Sequence, residues 1–136
     1  MPRIVAIDFG LKRTGIAVTD EMKMIASPLE TIDTHNLFTF LKDYFSRNNV
    51  EKIILGFPKD VDENAQIVIA IKKVFTKLKK EFKDKEIILH DERYTSKISS
   101  YLIKSNNLKK KERSDKRLLD KVSACIILQS FLNSYQ

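Results

Sequence analysis

The spacing of the apolar residues changes along the chain, and this change constrains the fold more than any other feature. Three runs rich in β-branched residues come first, at residues 3–8, 14–19 and 25–32. Such runs are typical of strands. Residues 10–13 form a short turn between the first two runs, which predicts a hairpin, and Pro28 marks the third strand as an edge strand or a bent one.

Helical spacing begins after the third run. Residues 37–45 predict an amphipathic helix, with Thr34 as its N-cap and residues 48–49 at its end. Short buried-strand patterns at 53–56 and 86–90 flank a second helix at about 64–82. We expect two more helices, at about 95–105 and 114–134, joined by a basic connector.

These elements predict one α/β domain over residues 1–136. A chain of this length builds a single core. Three antiparallel strands followed by alternating helices and strands indicate a mixed five-stranded sheet flanked by helices, in the element order of an RNase H-like fold.

Composition narrows the class of protein. With 43% hydrophobic and 32% charged residues the chain has enough apolar material for a core. It has no apolar window long enough for a membrane span, and its first residues do not form a signal-peptide core. We therefore expect a cytoplasmic protein without a membrane partner. Cys125 is the one cysteine, which excludes an internal disulfide and a multi-thiolate zinc site.

Three acidic residues stand where strands and helices could bring them together. Asp8 ends the first strand, Glu92 follows the fifth, and Asp120 lies in the last helix. We expect strands one and five to be parallel neighbours, which would release Asp8 and Glu92 at one carboxyl edge. That edge is the usual place of an active-site crevice in an open α/β sheet. Asp120 would have to reach it from the helix.

The surroundings of Asp120 bear on its role. Ser123, Ala124 and Ile127 share its helix face, and two of these are small enough for the backbone to approach a strand. A carboxylate in such a setting needs a partner, which can be Mg²⁺ or a lysine. Lys121 does not share its face, so the spacing favours a metal slightly over an ordinary ion pair.

Basic residues accompany the acids. Lys12 and Arg13 lie in the first turn, Lys59 follows the fourth strand, and Arg93 follows Glu92. Each can contact a phosphate, or can serve only the local structure, by closing a turn or loop or, for Arg93, by an ion pair that orders the acids. The sequence leaves both interpretations open.

The net charge of +7 has two sources. Residues 72–85 hold seven lysines and two acids, which we interpret as a solvent-facing helix surface. Residues 104–121 hold eight basic and three acidic residues. We interpret this second cluster, with Lys109, Lys110, Lys111 and Arg113, as a grip on a nucleic-acid backbone, the alternative being a solvated connector.

Four ordered motifs resemble the YqgF family, also called the RuvX-like family of Holliday junction resolvases or pre-16S ribosomal RNA nucleases. They are IDFGLKRTGIAV at 7–18, ILGFP at 54–58, DERYTS at 91–96 and DKVSACIILQ at 120–129. Two features depart from the family pattern. The family commonly has a further Asn and an Asp-Gly pair after the ILGFP motif, whereas this chain reads KDVDEN at 59–64, without glycine. In the last motif Ser123-Ala124 stands for two alanines.

The resemblance implies an RNase H-like phosphodiesterase. Asp8, Glu92 and Asp120 would be catalytic and would hold one or two Mg²⁺ or Mn²⁺ ions for in-line attack by water. The implied role is 5′-end processing of the 16S rRNA precursor in ribosome biogenesis. A junction-resolving DNA endonuclease is the alternative within the same chemistry, and it would act as a homodimer rather than a monomer. A catalytically silent nucleic-acid-binding module is the alternative from another class.

Overall fold

The computed structural model describes residues 2–20, 22, 25–58, 62, 64–91 and 116–134. The strands are β1 (Arg3–Asp8), β2 (Arg13–Thr19), β3 (Ala26–Asp33), β4 (Val50–Phe57) and β5 (Glu86–Asp91). The helices are α1 (Leu37–Arg47), preceded by a 3₁₀ turn at Thr34–Asn36, α2 (Gln66–Glu81) and α3 (Lys116–Ser134). The helix predicted at about 95–105 lies outside the described residues.

The five strands form one mixed sheet in the order β3-β2-β1-β4-β5. β1 pairs antiparallel with β2, and β2 with β3, whereas β1–β4 and β4–β5 are parallel. The predicted mixed sheet with three antiparallel strands is therefore confirmed.

The prediction that strands one and five are neighbours is wrong, because β4 lies between β1 and β5. Residues 53–55 of β4 are fully buried, as suits the centre of a sheet covered on both faces. Asp8 and the end of β5 are therefore two strand spacings apart, about 10 Å. They remain at the same carboxyl edge, since both strands run parallel to β4.

Each face of the sheet has its own apolar core. Alternate residues of the strands, such as Val5, Ile7 and Leu55, pack under α1 and α2. The intervening residues, such as Ala6 and Ile54, pack under α3. The period of two along each strand thus decides which side chains face α3, and the candidate site lies on that face.

Thr34 does not cap α1 as predicted. The residue before α1 is Asn36, and the 3₁₀ turn separates Thr34 from the helix. The Thr34 hydroxyl donates instead to the carbonyl of Gly10 at 2.6 Å and lies 2.8 Å from the Thr14 hydroxyl. This contact ties the end of β3 to the β1–β2 turn, a long-range bond that local sequence does not reveal.

Pro28 lies in the edge strand β3, as predicted, beside a register shift at residues 16–17 of β2. Among the residues that the structure describes, no helix is long and apolar enough to cross a membrane.

Candidate active site at the carboxyl edge of the sheet

Asp8 is the last residue of β1 and pairs in register with Gly15 of β2. Ile4 and Ala6 of β1 pack in the core under α3. Because side chains alternate along a strand, Asp8 points to this same face. Asp8 thus follows the core residues Ile4 and Ala6 on the same face of β1. It lies where the apolar core ends, at the open edge of the sheet.

Gly15 is the point where α3 meets the sheet. A Cβ atom at Gly15 would lie 2.0 Å from the carbonyl oxygen of Asp120 and 2.9 Å from the nitrogen of Lys121. Only glycine permits this approach of the helix backbone. Cross-strand partners have Cβ positions about 5 Å apart, so Asp8 and Asp120 both adjoin Gly15. The structure therefore brings two of the three predicted acidic residues next to one glycine, Asp8 as its register partner and Asp120 through its backbone.

The partner of Asp120 is Arg13. The Nε atom of Arg13 donates to Oδ2 of Asp120 at 3.0 Å, and the two side chains are 31% and 27% exposed. Sequence reasoning considered a metal or Lys121 for this carboxylate and overlooked Arg13. The signal was present, because Arg13 and Gly15 are two residues apart on β2 and therefore face the same side of the sheet.

Arg117 fixes the start of α3. Its guanidinium donates to the Thr31 carbonyl and to Oδ1 of Asp33, both at 3.0 Å, and the Thr31 hydroxyl donates back to the Arg117 carbonyl at 2.5 Å. Thr31 is buried. These bonds join the first turn of α3 to β3, and they position Asp120 one turn later. In the sequence, Arg117 is only one member of the basic cluster at 104–121, and nothing there predicts its contacts with β3.

The predicted helix face below Asp120 is confirmed. Ala124 and Ile127 are fully buried and Ser123 is 8% exposed. Ala124 and Ile127 pack in one cluster with Ala6 and Ala17 of the central strands. Small residues on both sides let α3 lie close to the sheet, which brings its backbone down to Gly15.

His90 and Cys125 have structural contacts. His90 lies 3.0 Å from the Ser130 hydroxyl through Nε2, and its ring meets Phe131 edge-on. Cys125 donates to the Ala26 carbonyl at 3.3 Å, and burial raises the pKa of its thiol. Both residues connect α3 to the sheet, as expected for packing residues.

Lys12 is exposed in the turn, where its carbonyl accepts the Thr34 amide at 2.9 Å. The other predicted residues lie outside the described ones: Glu92, Lys59, Arg93, Lys109, Lys110, Lys111 and Arg113. β5 ends at Asp91, so Glu92 is the next residue after the strand. Within the described ranges no three His, Cys, Asp or Glu residues cluster closely enough to hold a metal ion.

Comparison with known proteins gives consistent results. A family model described as RuvX, Holliday junction resolvase, matches residues 2–134. A protein of Amoebophilus asiaticus is 48% identical over 137 residues, which cover 100% of this chain and 97% of that protein. One of Flavobacterium psychrophilum is 49% identical over 133 residues, 97% of each. Both carry the name "Putative pre-16S rRNA nuclease".

Two solved structures share the fold. RuvC of T. thermophilus in complex with Holliday junction substrate superposes with a TM-score of 0.59 at 13% identity, over 99% of this chain and 96% of that one. Fowlpox virus resolvase with Holliday junction DNA gives 0.54 at 15% identity, over 98% of both chains. At such identities these likenesses show the fold alone, and they confirm the RNase H-like architecture.

Proposed function

The chain belongs to the RuvX family, and from this premise we propose that its nuclease activity processes the 5′ end of pre-16S rRNA with the help of a divalent metal ion. The names of the full-length relatives support the substrate. Such a role belongs to ribosome biogenesis in the cytoplasm.

The observation that carries the proposal is the meeting of Asp8 and Asp120 at Gly15. Asp8 ends a strand and Asp120 lies on a helix, and both residues adjoin Gly15, Asp8 as its register partner and Asp120 through its backbone. Neither aspartate belongs to the apolar core under α3, and both lie at its border. Packing of the core therefore does not explain why acidic residues stand at these two positions. A pair of carboxylates on an open sheet edge is the arrangement that a phosphodiesterase site uses.

The donor chemistry fits Mg²⁺ or Mn²⁺. Carboxylate oxygens are hard ligands, and Mg²⁺ usually takes one or two of them together with water and substrate phosphate. Asp8 and Asp120 would supply two such side chains, and Glu92, which follows β5, would supply a third. These residues would hold the metal ion, which would supply Lewis-acid chemistry at the phosphate and at the attacking water.

Arg13 has a positioning role in this proposal. Its bond to Asp120 holds the carboxylate in one orientation. Its guanidinium also places a positive charge at the edge that a phosphate would approach. Lys12, Lys59, Arg93, Lys109, Lys110, Lys111 and Arg113 are proposed to bind the nucleic-acid backbone, which gives affinity but little sequence specificity.

A cleavage assay tests the proposal. Labelled pre-16S leader RNA and a four-way DNA junction are incubated with the protein in Mg²⁺, in Mn²⁺ or in EDTA. We expect metal-dependent cutting of the leader RNA at its 5′ side. The Asp43→Asn variant changes an exposed acid of α1 that pairs with Arg47. It serves as the matched control and should cut like the wild type. Binding of both substrates without cutting would contradict the proposal and favour a silent binding module.

Junction resolution is the second candidate, because the matching family model is described as a Holliday junction resolvase. A resolvase cuts two strands symmetrically and therefore needs two active sites related by a two-fold axis. Paired symmetric nicks in the DNA junction, made by a homodimer in sedimentation analysis, would favour this candidate. A monomer that cuts only the RNA would exclude it.

A further inference from the structure

The exposed side of α2 carries lysines that the candidate site does not use. Lys72, Lys73, Lys79 and Lys80 on the helix, and Lys83 just after it, are all exposed. Lys72 and Lys79 are seven residues apart, as are Lys73 and Lys80, so the members of each pair lie on the same side of the helix two turns apart. We call these five residues the α2 lysine row. The opposite side of α2, with Val68, Ile71 and Leu78, is buried against the sheet.

The acids near the row have partners elsewhere. Glu81 lies 3.9 Å from Lys42 of α1, and Asp84 lies 3.2 Å from Lys85. Lys85 itself is nearly buried and donates to the Val50 carbonyl. The two acids of residues 72–85 are thus engaged with lysines outside the row. Glu86, at the start of β5, lines a depression together with Lys79 and Lys83, so the row carries five positive charges beside one neighbouring acid.

The remaining lysine of α2 contacts another helix. Lys77 lies over the ring of Phe38 in α1, with Nζ 4.2 Å from the ring centre. Its ammonium group is therefore held against α1, although Lys77 lies four residues after Lys73 and three before Lys80. This difference separates the lysines of one helix into two groups with different surroundings.

The row leads away from the candidate site. α2 follows β4, whose last residues lie at the carboxyl edge, and it ends before β5 starts at the opposite edge. From Lys72 to Lys80 the helix rises about 12 Å, and one strand of a duplex places a phosphate about every 3.4 Å along the duplex axis. Along the duplex axis the row therefore spans three to four successive phosphates. These phosphates would lie away from the scissile bond.

The surface suits a duplex better than a single strand. Single-strand sites combine basic grooves with aromatic side chains on which bases stack. The large exposed apolar residue of α2 is Ile69, which is not aromatic, and Lys79 covers the ring of Phe75, with Nζ 4.8 Å from its centre. A rigid helix with exposed cations over more than two turns matches the regularly placed phosphates of a duplex.

We propose that the α2 lysine row binds the phosphate backbone of the duplex that flanks the cleavage site. The inference rests on the proposed nuclease function and extends it, because it assigns a surface to substrate far from the scissile bond. It gives five of the seven lysines of residues 72–85 a function, whereas the sequence alone indicates only a solvent-facing helix surface.

Binding without cleavage tests this surface. The full chain with Asp8→Asn, in EDTA, is titrated onto a fluorescein-labelled RNA duplex of about 30 base pairs, and anisotropy is followed between about 50 and 200 mM KCl. Adding Lys72→Gln and Lys79→Gln should weaken binding about tenfold and make the slope of log K against log salt shallower by about two. Arg at both positions should restore the slope.

The control pair is Arg47→Gln with Lys77→Gln, which removes the same charge from exposed residues outside the row. It should change affinity less than twofold. Equal weakening by both pairs would overturn the proposal, as would unchanged RNA binding by the row variant. Weaker binding to anionic phospholipid vesicles with unchanged RNA binding would also overturn it. If wild type fails to cut RNA but the row variant loses duplex binding, the row stands and the proposed nuclease function fails.

Discussion

Gly15 of β2 lies directly against the backbone of Asp120 in α3, so close that a Cβ atom would come within 2.0 Å of its carbonyl oxygen. Gly15 is also the register partner of Asp8. One glycine thus determines how near the helix backbone at Asp120 can come to the end of β1, where Asp8 lies.

Replacing this glycine should displace the helix. In Gly15→Ala the added methyl group meets backbone atoms, which cannot rotate away as a side chain could. We expect a loss of about 1–3 kcal/mol in the free energy of unfolding, as for other overpacked sites. Urea unfolding followed by circular dichroism measures it. The exposed change Ser46→Ala should stay within about 0.5 kcal/mol, and a fully stable Gly15→Ala protein would mean that α3 is not held as described.

Removing Arg13 should affect activity more than stability. The Arg13–Asp120 pair is partly exposed, so Arg13→Gln should cost at most about 1 kcal/mol of stability. Loss of the group that orients a proposed metal ligand should lower Mn²⁺ affinity and the cleavage rate by about 10- to 100-fold. Calorimetric Mn²⁺ titration and single-turnover cleavage report the two effects.

Arg47→Gln is the matched control, since Arg47 pairs with Asp43 on α1, away from the carboxyl edge. Wild-type Mn²⁺ affinity in Arg13→Gln would show that Arg13 does not position a metal ligand.

The bond between Thr31 and α3 should contribute measurably to stability. Thr31→Val removes the hydroxyl that donates to the Arg117 carbonyl. Since Thr31 is buried, we expect a loss of about 1–2 kcal/mol. Thr76→Val removes a similar hydroxyl bond on the exposed side of α2, to the Lys72 carbonyl, and should cost less in the same urea titration. Equal losses in the two variants would contradict the anchoring role.

The thiol of Cys125 should react slowly. Burial raises its pKa, so at pH values below that pKa less of the reactive thiolate is present than for a free cysteine. Iodoacetamide labelling near pH 8, followed by mass spectrometry, should be slower for the folded protein than for the protein in urea. The rate should increase as the pH is raised. Equal rates in both states would place Cys125 at the surface.

The sequence predicted the features that depend on local pattern. The strands, α1, α2 and the face of α3 with Ala124 and Ile127 follow from residue spacing, and their bounds differ from the structure by a few residues. It could not predict that β4 separates β1 from β5, because spacing within a strand does not specify its neighbours.

Contacts between distant segments could not be predicted from the sequence for the same reason. The Arg13–Asp120 pair joins residues 107 positions apart, and the Thr31–Arg117 bonds join residues 86 apart. The resemblance of four motifs pointed to Asp8 and Asp120 as members of one site, but only the register at Gly15 explains how the two meet.

The central claim is that Asp8 and Asp120 form one metal-dependent site, and single-turnover cleavage of pre-16S leader RNA by Asp8→Asn tests it most directly. The variant keeps the shape of the side chain and removes its charge, so circular dichroism and urea unfolding should match the wild type. We predict that cleavage in Mg²⁺ falls to the level seen in EDTA, whereas Asp43→Asn cuts at the wild-type rate. An Asp8→Asn protein that cuts nearly as fast as the wild type would contradict the account.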